Sequence, residues 1–251
     1  MVRILLHGCS GRMGHIITDL VSKDVDCEIV AGVDAFGEAY SRYPVHRTLD
    51  EVTEEADVVI DFSNAKAVDG LLSWCAAKKV PAVVCTTGLS RAQVENLEKT
   101  AEQVAILRSA NMSIGINLIL NVLKEVAPQL EAAGFDCEIV EKHHNQKLDA
   151  PSGTALALAD AVNSADKKDY DYVYDRSARR EKRPDNEIGI SSVRGGTIVG
   201  DHDVIFAGED EVITFSHRAY SRALFGKGAL TAAKFLAGRK PGLYSMQDAL
   251  A

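Results

Sequence analysis

Residues 138–155 hold the densest set of side chains in this sequence that could perform acid–base chemistry. Two adjacent histidines, His143 and His144, are followed by Lys147 and then by a turn of small and polar residues at 151–154. A helix predicted to begin near Thr154 would present backbone N–H groups and the positive end of its dipole, which together bind carboxylates. Imidazole and ammonium groups beside such a turn can hold or donate protons. The stretch therefore predicts a site for a small, negatively charged substrate.

The same stretch resembles the signature of the dihydrodipicolinate reductase family, which includes the pattern H-H-x-x-K-x-D-x-P-S-G-T-A. The matching residues are Glu141, His143, His144, Lys147, Asp149, Pro151, Ser152, Gly153, Thr154 and Ala155. The resemblance runs from the first predicted strand to the last predicted helix. It implies an NAD(P)H-dependent oxidoreductase that converts 4-hydroxy-tetrahydrodipicolinate to tetrahydrodipicolinate in the diaminopimelate route to lysine.

The resemblance also implies roles for single residues in this stretch. His143 and Lys147 are the candidate proton donors, and the sequence leaves open which of them delivers the proton. The other implied substrate-binding residues are His144, Ser152, Gly153 and Thr154.

A cofactor site is predicted from three glycines between the first strand and the first helix, Gly8, Gly11 and Gly14. At such a turn the pyrophosphate of a dinucleotide meets backbone N–H groups and the helix dipole. Asp34 ends the next strand, where a carboxylate can accept hydrogen bonds from ribose hydroxyls. Because a carboxylate opposes a 2′-phosphate, we expect NADH to be favoured and NADPH to be usable.

Further cofactor-binding residues follow from the resemblance, in segments that the family places near the cofactor. For Arg222 and Phe225 an ordinary helix start is an equally good interpretation. With the glycine turn and Asp34, the predicted set is Gly8, Gly11, Arg12, Met13, Gly14, Asp34, Phe62, Ser63, Thr86, Thr87, Gly88, Ala110, Asn111, Met112, Arg222 and Phe225.

The hydrophobic pattern predicts an α/β fold in two parts. Strands and helices alternate in the first half, which indicates a Rossmann-like parallel sheet, with strands at 2–7, 28–33, 57–61, 81–85 and 104–107. The second half indicates an α+β domain with a mixed or antiparallel sheet, with strands at 137–143, 188–194, 198–207 and 211–218. Glycines at 195–196 and the turn at 208–210 are hairpin signals. The predicted domains are 1–115 with 222–251 for the dinucleotide, and 116–221 for substrate and oligomerisation, with substrate in the cleft between them.

Composition narrows the class of protein. A net charge of −8 over 251 residues argues against nucleic acid as a partner, and we interpret the basic residues of 176–183 as a solvated loop. No apolar run approaches a membrane span, and the first residues do not predict a signal peptide. The five cysteines lack paired spacing, so we expect free thiols in the cytoplasm and no metal site. The family resemblance implies a homotetramer.

Two other functions are compatible with parts of this pattern. An amino-acid or semialdehyde dehydrogenase would share the domain plan but would not need the histidine pair and Lys147 beside the turn. A nucleotide-sensing module without catalysis would be indicated by loss of His143 or Lys147, and both are present.

Overall fold

A computed structural model describes residues 1–37, 42–109, 111–165 and 168–251, and the chain divides into two compact units. The first unit comprises Met1–Ile114 and Arg222–Ala251, and the second comprises Gly115–Ser221. These bounds lie within one residue of the predicted domain bounds. The functions assigned to the two domains stay a prediction.

The first unit is built on one sheet of seven parallel strands in the order β12-β6-β5-β4-β1-β2-β3. Its central strands are short apolar runs that are buried on both faces, as is typical of a parallel sheet covered by helices. Their bounds are β1 Val2–His7, β2 Cys27–Val33, β3 Val45–His46, β4 Val58–Asp61, β5 Ala82–Val84, β6 Ala105–Arg108 and β12 Gly242–Tyr244. The Rossmann-like sheet of the predicted α/β fold is confirmed.

Helices cover both faces of this sheet. They are α1 Arg12–Val21, α2 Ala65–Lys78, α3 Arg91–Ala101, α6 Ala223–Leu236 and the short α7 Met246–Leu250. Apolar residues of α1 and α6 pack in one core cluster, and those of α2 and α3 pack in another on the opposite side. Ser90 is the N-cap of α3 and forms a capping box with Gln93 at the start of this helix. The last long helix, α6, therefore belongs to the first unit.

The second unit contains a mixed five-stranded sheet in the order β11-β10-β7-β9-β8. The strand β7 is antiparallel to β10 and parallel to β9, so the mixed sheet predicted for this half is confirmed. Its elements are α4 Ile114–Ala132, β7 Asp136–His143, α5 Gly153–Ala165, β8 Asp171–Val173, β9 Glu187–Arg194, β10 Gly200–Ala207 and β11 Val212–Ala219. Residues of α4 and α5 pack on the apolar side chains of the sheet and form its core.

One of the two predicted hairpins is wrong. The strands β10 and β11 pair antiparallel, which confirms the hairpin around residues 208–210. The strands β9 and β10, which flank Gly195 and Gly196, do not pair with each other because β7 lies between them. Glycine between two strands indicates a turn, but it does not determine which strands become neighbours.

The interpretation of residues 176–183 as a solvated loop is also wrong for three of its arginines. Arg176 donates two hydrogen bonds to Glu138, and Arg183 donates one to the same carboxylate. Arg179 pairs with Glu187, a buried residue at the start of β9. These ion pairs attach the loop to the sheet.

The predicted free thiols are confirmed, since all five cysteines are buried and none is in a disulfide. Among the described residues, the structure contains no helix long and apolar enough to cross a membrane.

The close packing of α6 gives a test of the first unit. Gly228 lies in this helix, where an added Cβ would overlap the carbonyl group of Met112. We expect Gly228→Ala to lower the free energy of unfolding by roughly 1–3 kcal/mol, because the backbone must shift to admit a methyl group. Gly70→Ala is the matched control, since the Cβ would meet no atom on the exposed face of α2.

Urea denaturation of both variants at one protein concentration checks this expectation. The control should gain about 0.5–1 kcal/mol, because glycine is a poor residue inside a helix. Equal behaviour of the two variants would contradict the close approach at Gly228.

Candidate active site

A cavity of about 340 Å³ lies at the carboxyl ends of the strands in the first unit. It forms where the strand order reverses, since β1 lies between β2 and β4. In open α/β sheets, ligands bind beyond the carboxyl ends of the strands at this reversal. Five of the predicted cofactor residues line the cavity: Gly8, Gly11, Asp34, Phe62 and Ser63.

The glycine turn has the close contacts that its sequence predicts. Gly8 has a positive φ of 80°, and an added Cβ would lie 2.7 Å from the carbonyl oxygen of Phe62. Gly11 is the N-cap of α1, and Gly14 leaves no room for a Cβ against the carbonyl group of Cys9. No side chain fits between the turn and the sheet at these glycines. The backbone N–H groups at the start of α1 therefore remain accessible to a phosphate.

Asp34 follows β2 and is held in place by the backbone. The N–H of Ser10 donates to its Oδ2 at 3.2 Å, and the N–H of Phe36 donates to its Oδ1 at 3.1 Å. Each oxygen retains further acceptor capacity, so the carboxylate can still accept bonds from a ribose. The cavity and this carboxylate together fit the adenosine half of a dinucleotide.

The other predicted cofactor residues that the structure describes are not among the residues lining this cavity. Arg12 and Met13 begin α1, while Thr86, Thr87 and Gly88 follow β5. Asn111 accepts a hydrogen bond from Ser113 N, and Met112 and Phe225 contact the core cluster between α6 and the sheet. Arg222 is the N-cap residue of α6. Ala110 lies outside the described residues.

Sequence reasoning missed a buried pair under the glycine turn. His7 Nδ1 lies 2.9 Å from Asp61 Oδ1, at the adjacent ends of β1 and β4, and the Ser63 hydroxyl donates to the same oxygen at 2.6 Å. Burial acts to raise the pKa of Asp61, but His7 and Ser63 lower it below its usual value. His7 also lines the nucleotide cavity. The feature of the sequence that could have indicated this pair is a polar residue in each of two otherwise apolar strands, His7 in β1 and Asp61 in β4.

The second unit gathers the residues of the signature around a buried carboxylate. Along β7 the side chains alternate, and Glu141 and His143 both face the interior. Glu141 is fully buried, and its Oε2 lies 2.6 Å from Nδ1 of His143. A carboxylate only accepts, so Nδ1 carries a proton and the imidazole has a fixed orientation.

Arg194 neutralises Glu141. Its two terminal nitrogens donate to the two carboxylate oxygens at 2.8 and 2.7 Å, and one of them also donates to the carbonyl oxygen of Asp149. Burial would raise the pKa of Glu141, but the hydrogen bonds from Arg194 and His143 lower it to about 2. Sequence reasoning did not select Arg194 as a site residue, and the structure places it in contact with Glu141, the hydrogen-bond partner of His143. Its position in a strand gave no signal of this contact.

Ser152 connects the turn before α5 to the same carboxylate. Its N–H donates to Glu141 at 3.1 Å, and its hydroxyl accepts from Ala155 N and lies 3.0 Å from Nε2 of His202. The N–H and the hydroxyl of Ser152 are therefore both used in hydrogen bonds within the protein. The next backbone N–H of the turn belongs to Gly153, which is exposed. His202, which sequence reasoning did not select as a site residue, lies edge-on to His143 with ring centroids 5.2 Å apart.

The remaining predicted residues stand at the outer side of this cluster. Lys147 Nζ lies 2.8 Å from Asp149 Oδ1. His144 directly follows the last residue of β7 and is half-buried, and Thr154 is in the first turn of α5. Burial lowers the pKa of His143, and the charges of Lys147 and Arg194 lower it further, against the opposing effect of Glu141.

Comparison with known proteins finds one family over nearly the whole chain. Residues 2–112 match the family model described as "Dihydrodipicolinate reductase, N-terminus", and residues 115–250 match "Dihydrodipicolinate reductase, C-terminus". The chain belongs to the dihydrodipicolinate reductase family. This confirms the resemblance carried by the signature residues.

Relatives in the dihydrodipicolinate reductase family align from end to end. A 4-hydroxy-tetrahydrodipicolinate reductase of Caldanaerobacter subterraneus subsp. tengcongensis is 54% identical over 248 residues, which cover 99% of this chain and 98% of the relative. One of Clostridium tetani is 49% identical, covering 98% and 96%. The dipicolinate-bound dihydrodipicolinate reductase from Paenisporosarcina sp. TG-14 has the same fold, with a TM-score of 0.81, 26% identity and full coverage of both chains.

The buried histidine predicts an acid-sensitive fold. Burial and the charge of His143 lower the pKa of His202 to about 4, whereas a histidine in the unfolded chain titrates near 6.5. As the pH falls from about 6.5 to 4, the unfolded chain binds a proton that the folded chain does not. We expect this histidine to remove roughly 2–3 kcal/mol of unfolding free energy in that window.

Denaturation of the wild type and of His202→Gln between pH 7 and pH 4, followed by circular dichroism, measures this contribution. The variant should have a flatter dependence on pH in that window. Below it, protonation of Glu141 adds a second loss as the pH falls toward 2, which both proteins should share. Identical slopes in the two proteins between pH 6.5 and 4 would contradict the assignment to His202.

Proposed function

We propose that this chain reduces 4-hydroxy-tetrahydrodipicolinate to tetrahydrodipicolinate, with NADH or NADPH as the reductant, in the diaminopimelate route to lysine. The observation that carries the proposal is the cluster around Glu141, in which His143 is oriented beside Lys147 and the turn before α5. The relatives named for this activity share the whole length of the chain, which supports it.

The net reaction replaces a hydroxyl group by hydrogen, and water leaves, so it consumes one hydride and one proton. The nicotinamide supplies the hydride when the cofactor is bound. The chain must supply the proton and must hold a substrate with two carboxylates. The cluster contains both kinds of group, since imidazole and ammonium side chains lie next to backbone N–H donors of a helix start.

His143 is the first candidate for the proton donor. Its Nδ1–H is committed to Glu141, so only Nε2 can exchange a proton with a ligand. The negative charges of a bound dicarboxylate would raise the pKa of this imidazole, which burial otherwise lowers. Lys147 is the second candidate, and Asp149 positions its ammonium group.

For substrate binding we propose His144, Ser152, Gly153 and Thr154. Gly153 and Thr154 would hold a carboxylate at the start of α5, while Ser152 acts through the shape of the turn because its polar groups bond internally. For the cofactor, the glycine turn would hold the pyrophosphate and Asp34 would accept bonds from the adenosine ribose.

Assembly and location complete the proposal. A homotetramer is supported by the family resemblance, in which the sheets of the second domain join across subunits. A cytoplasmic location is supported by five buried thiols, which suit a reducing compartment.

Coupled synthesis of the substrate, with oxidation of NADH or NADPH followed by absorbance, tests the function directly. We expect His143→Ala and Lys147→Ala to lower turnover by roughly 100-fold or more, because each removes a proton donor. Both residues belong to the second unit, whereas the glycine turn and Asp34 belong to the first. The affinity for NADH, measured by fluorescence titration, should therefore remain nearly unchanged.

A parallel loss of turnover and of NADH affinity would refute this division of roles. Turnover equal to that of the wild type in both variants would show that neither residue donates the proton.

The preference between cofactors has its own test at Asp34. Asp34→Asn should weaken NADH, because a neutral amide is a poorer acceptor for ribose hydroxyls, and should spare or improve NADPH, because the repulsion of a 2′-phosphate is gone. The ratio of kcat/KM for the two cofactors measures the change. A ratio equal to that of the wild type would exclude contact between this carboxylate and the ribose.

A further inference from the structure

A second charged side chain lines the nucleotide cavity close to Asp34. Residues Val33 and His46 are paired in the parallel ladder of β2 and β3. The next residues of these strands, Asp34 and Arg47, therefore leave the sheet side by side at its carboxyl edge. Both line the cavity of about 340 Å³ that also contains Gly8 and Gly11 of the glycine turn.

Hydrogen bonds fix the position of Arg47 at this edge. Its backbone N–H donates to Glu51 Oε2 at 2.9 Å, and its Nη1 donates to the carbonyl oxygen of Ala35 at 2.8 Å. Ala35 is the residue directly after Asp34. The guanidinium group is thus attached to the loop that directly follows Asp34.

The charge of Arg47 is not neutralised within the described part of the chain. The guanidinium forms no ion pair with a described carboxylate, and Asp34 is bonded to the N–H groups of Ser10 and Phe36 instead. One Nη1 hydrogen is used at Ala35, which leaves four of the five guanidinium N–H groups. A planar fork of donors of this kind suits a phosphate group.

We propose that Arg47 binds the adenosine 2′-phosphate of NADPH, while Asp34 accepts hydrogen bonds from the free ribose hydroxyls of NADH. This inference rests on the proposed use of both nucleotides. Arg47 and Asp34 carry opposite charges at one edge of the cavity. Arg47 is thus the partner of NADPH, and Asp34 is the partner of NADH. The side chain that offsets the repulsion by Asp34 therefore comes from the end of β3 and not from the loop after β2.

Selectivity distinguishes this role from two others that an arginine in an adenosine cavity can have. A guanidinium stacked on the adenine ring would contribute equally to NADH and NADPH, because both carry the same base. An arginine that only supports the loop at Ala35 would also affect both cofactors together. A bond to the 2′-phosphate affects NADPH alone and weakens with added salt.

Fluorescence titration of full-length protein with NADH and with NADPH, in the absence of substrate, provides the test. The proteins are the wild type, Arg47→Gln, and the matched control Arg42→Gln. The control removes the same charge five positions earlier, where the side chain lines a different cavity. Each titration is made at low and at high ionic strength, and competition by adenosine 2′,5′-bisphosphate against adenosine 5′-monophosphate isolates the 2′-phosphate.

We expect Arg47→Gln to raise the Kd of NADPH about tenfold at low salt, to leave the Kd of NADH within about twofold, and to reduce the salt dependence of NADPH binding. Arg42→Gln should match the wild type in both affinities. Equal weakening of both cofactors, or no change in their ratio, would overturn the inference while leaving the proposed function intact. A wild-type protein that binds neither nucleotide would overturn the proposed function itself.

Discussion

The ion pair between Glu141 and Arg194 is the interaction on which the rest of the second unit's site depends. A fully buried carboxylate is stable only with a cation and further donors, and Glu141 has Arg194, His143 and the backbone of Ser152. Removing one partner of such a pair typically costs about 3–5 kcal/mol, because the other charge stays buried. The same carboxylate thus orients the imidazole and holds the turn that begins α5. The orientation of His143, a proposed proton donor, and the local stability of the unit therefore depend on the same carboxylate.

The first unit meets a different requirement, which is to bring backbone close to a ligand. Gly8 and Gly14 remove side chains where the turn approaches the sheet, and strand ends supply the few charged groups. The register of β2 with β3 decides which charges these are, because it sets Arg47 beside Asp34. A shift of one residue in that short ladder would replace the guanidinium by a different side chain. The proposed nucleotide selectivity therefore depends on strand pairing as much as on residue type.

Sequence reasoning predicted what is local in this chain. The apolar runs of β1 and β4 and the glycine turn all follow from patterns within about ten residues. It failed where partners are distant: the hairpin at Gly195 is wrong because β7 lies between β9 and β10. The two-residue strand β3 was missed because two residues show no periodicity. Arg47 was missed with it, since its importance follows only from the pairing of that strand.

The same distinction between local and distant partners explains why the signature contains only some of the residues that are hydrogen-bonded around Glu141. Residues 141–155 are contiguous and could be recognised, but Arg194 lies 53 residues beyond Glu141, and His202 lies 50 beyond Ser152. Arg194 supplies the positive charge that neutralises Glu141, and His202 packs against the ring of His143. Burial has the largest effect on the pKa of His143 and lowers it, Glu141 raises it, and the charges of Lys147 and Arg194 lower it. A ligand that adds negative charge beside this imidazole would therefore raise its pKa. Under the proposed function, a bound dicarboxylate would shift the imidazole toward its protonated form, so that proton donation would be coupled to substrate binding.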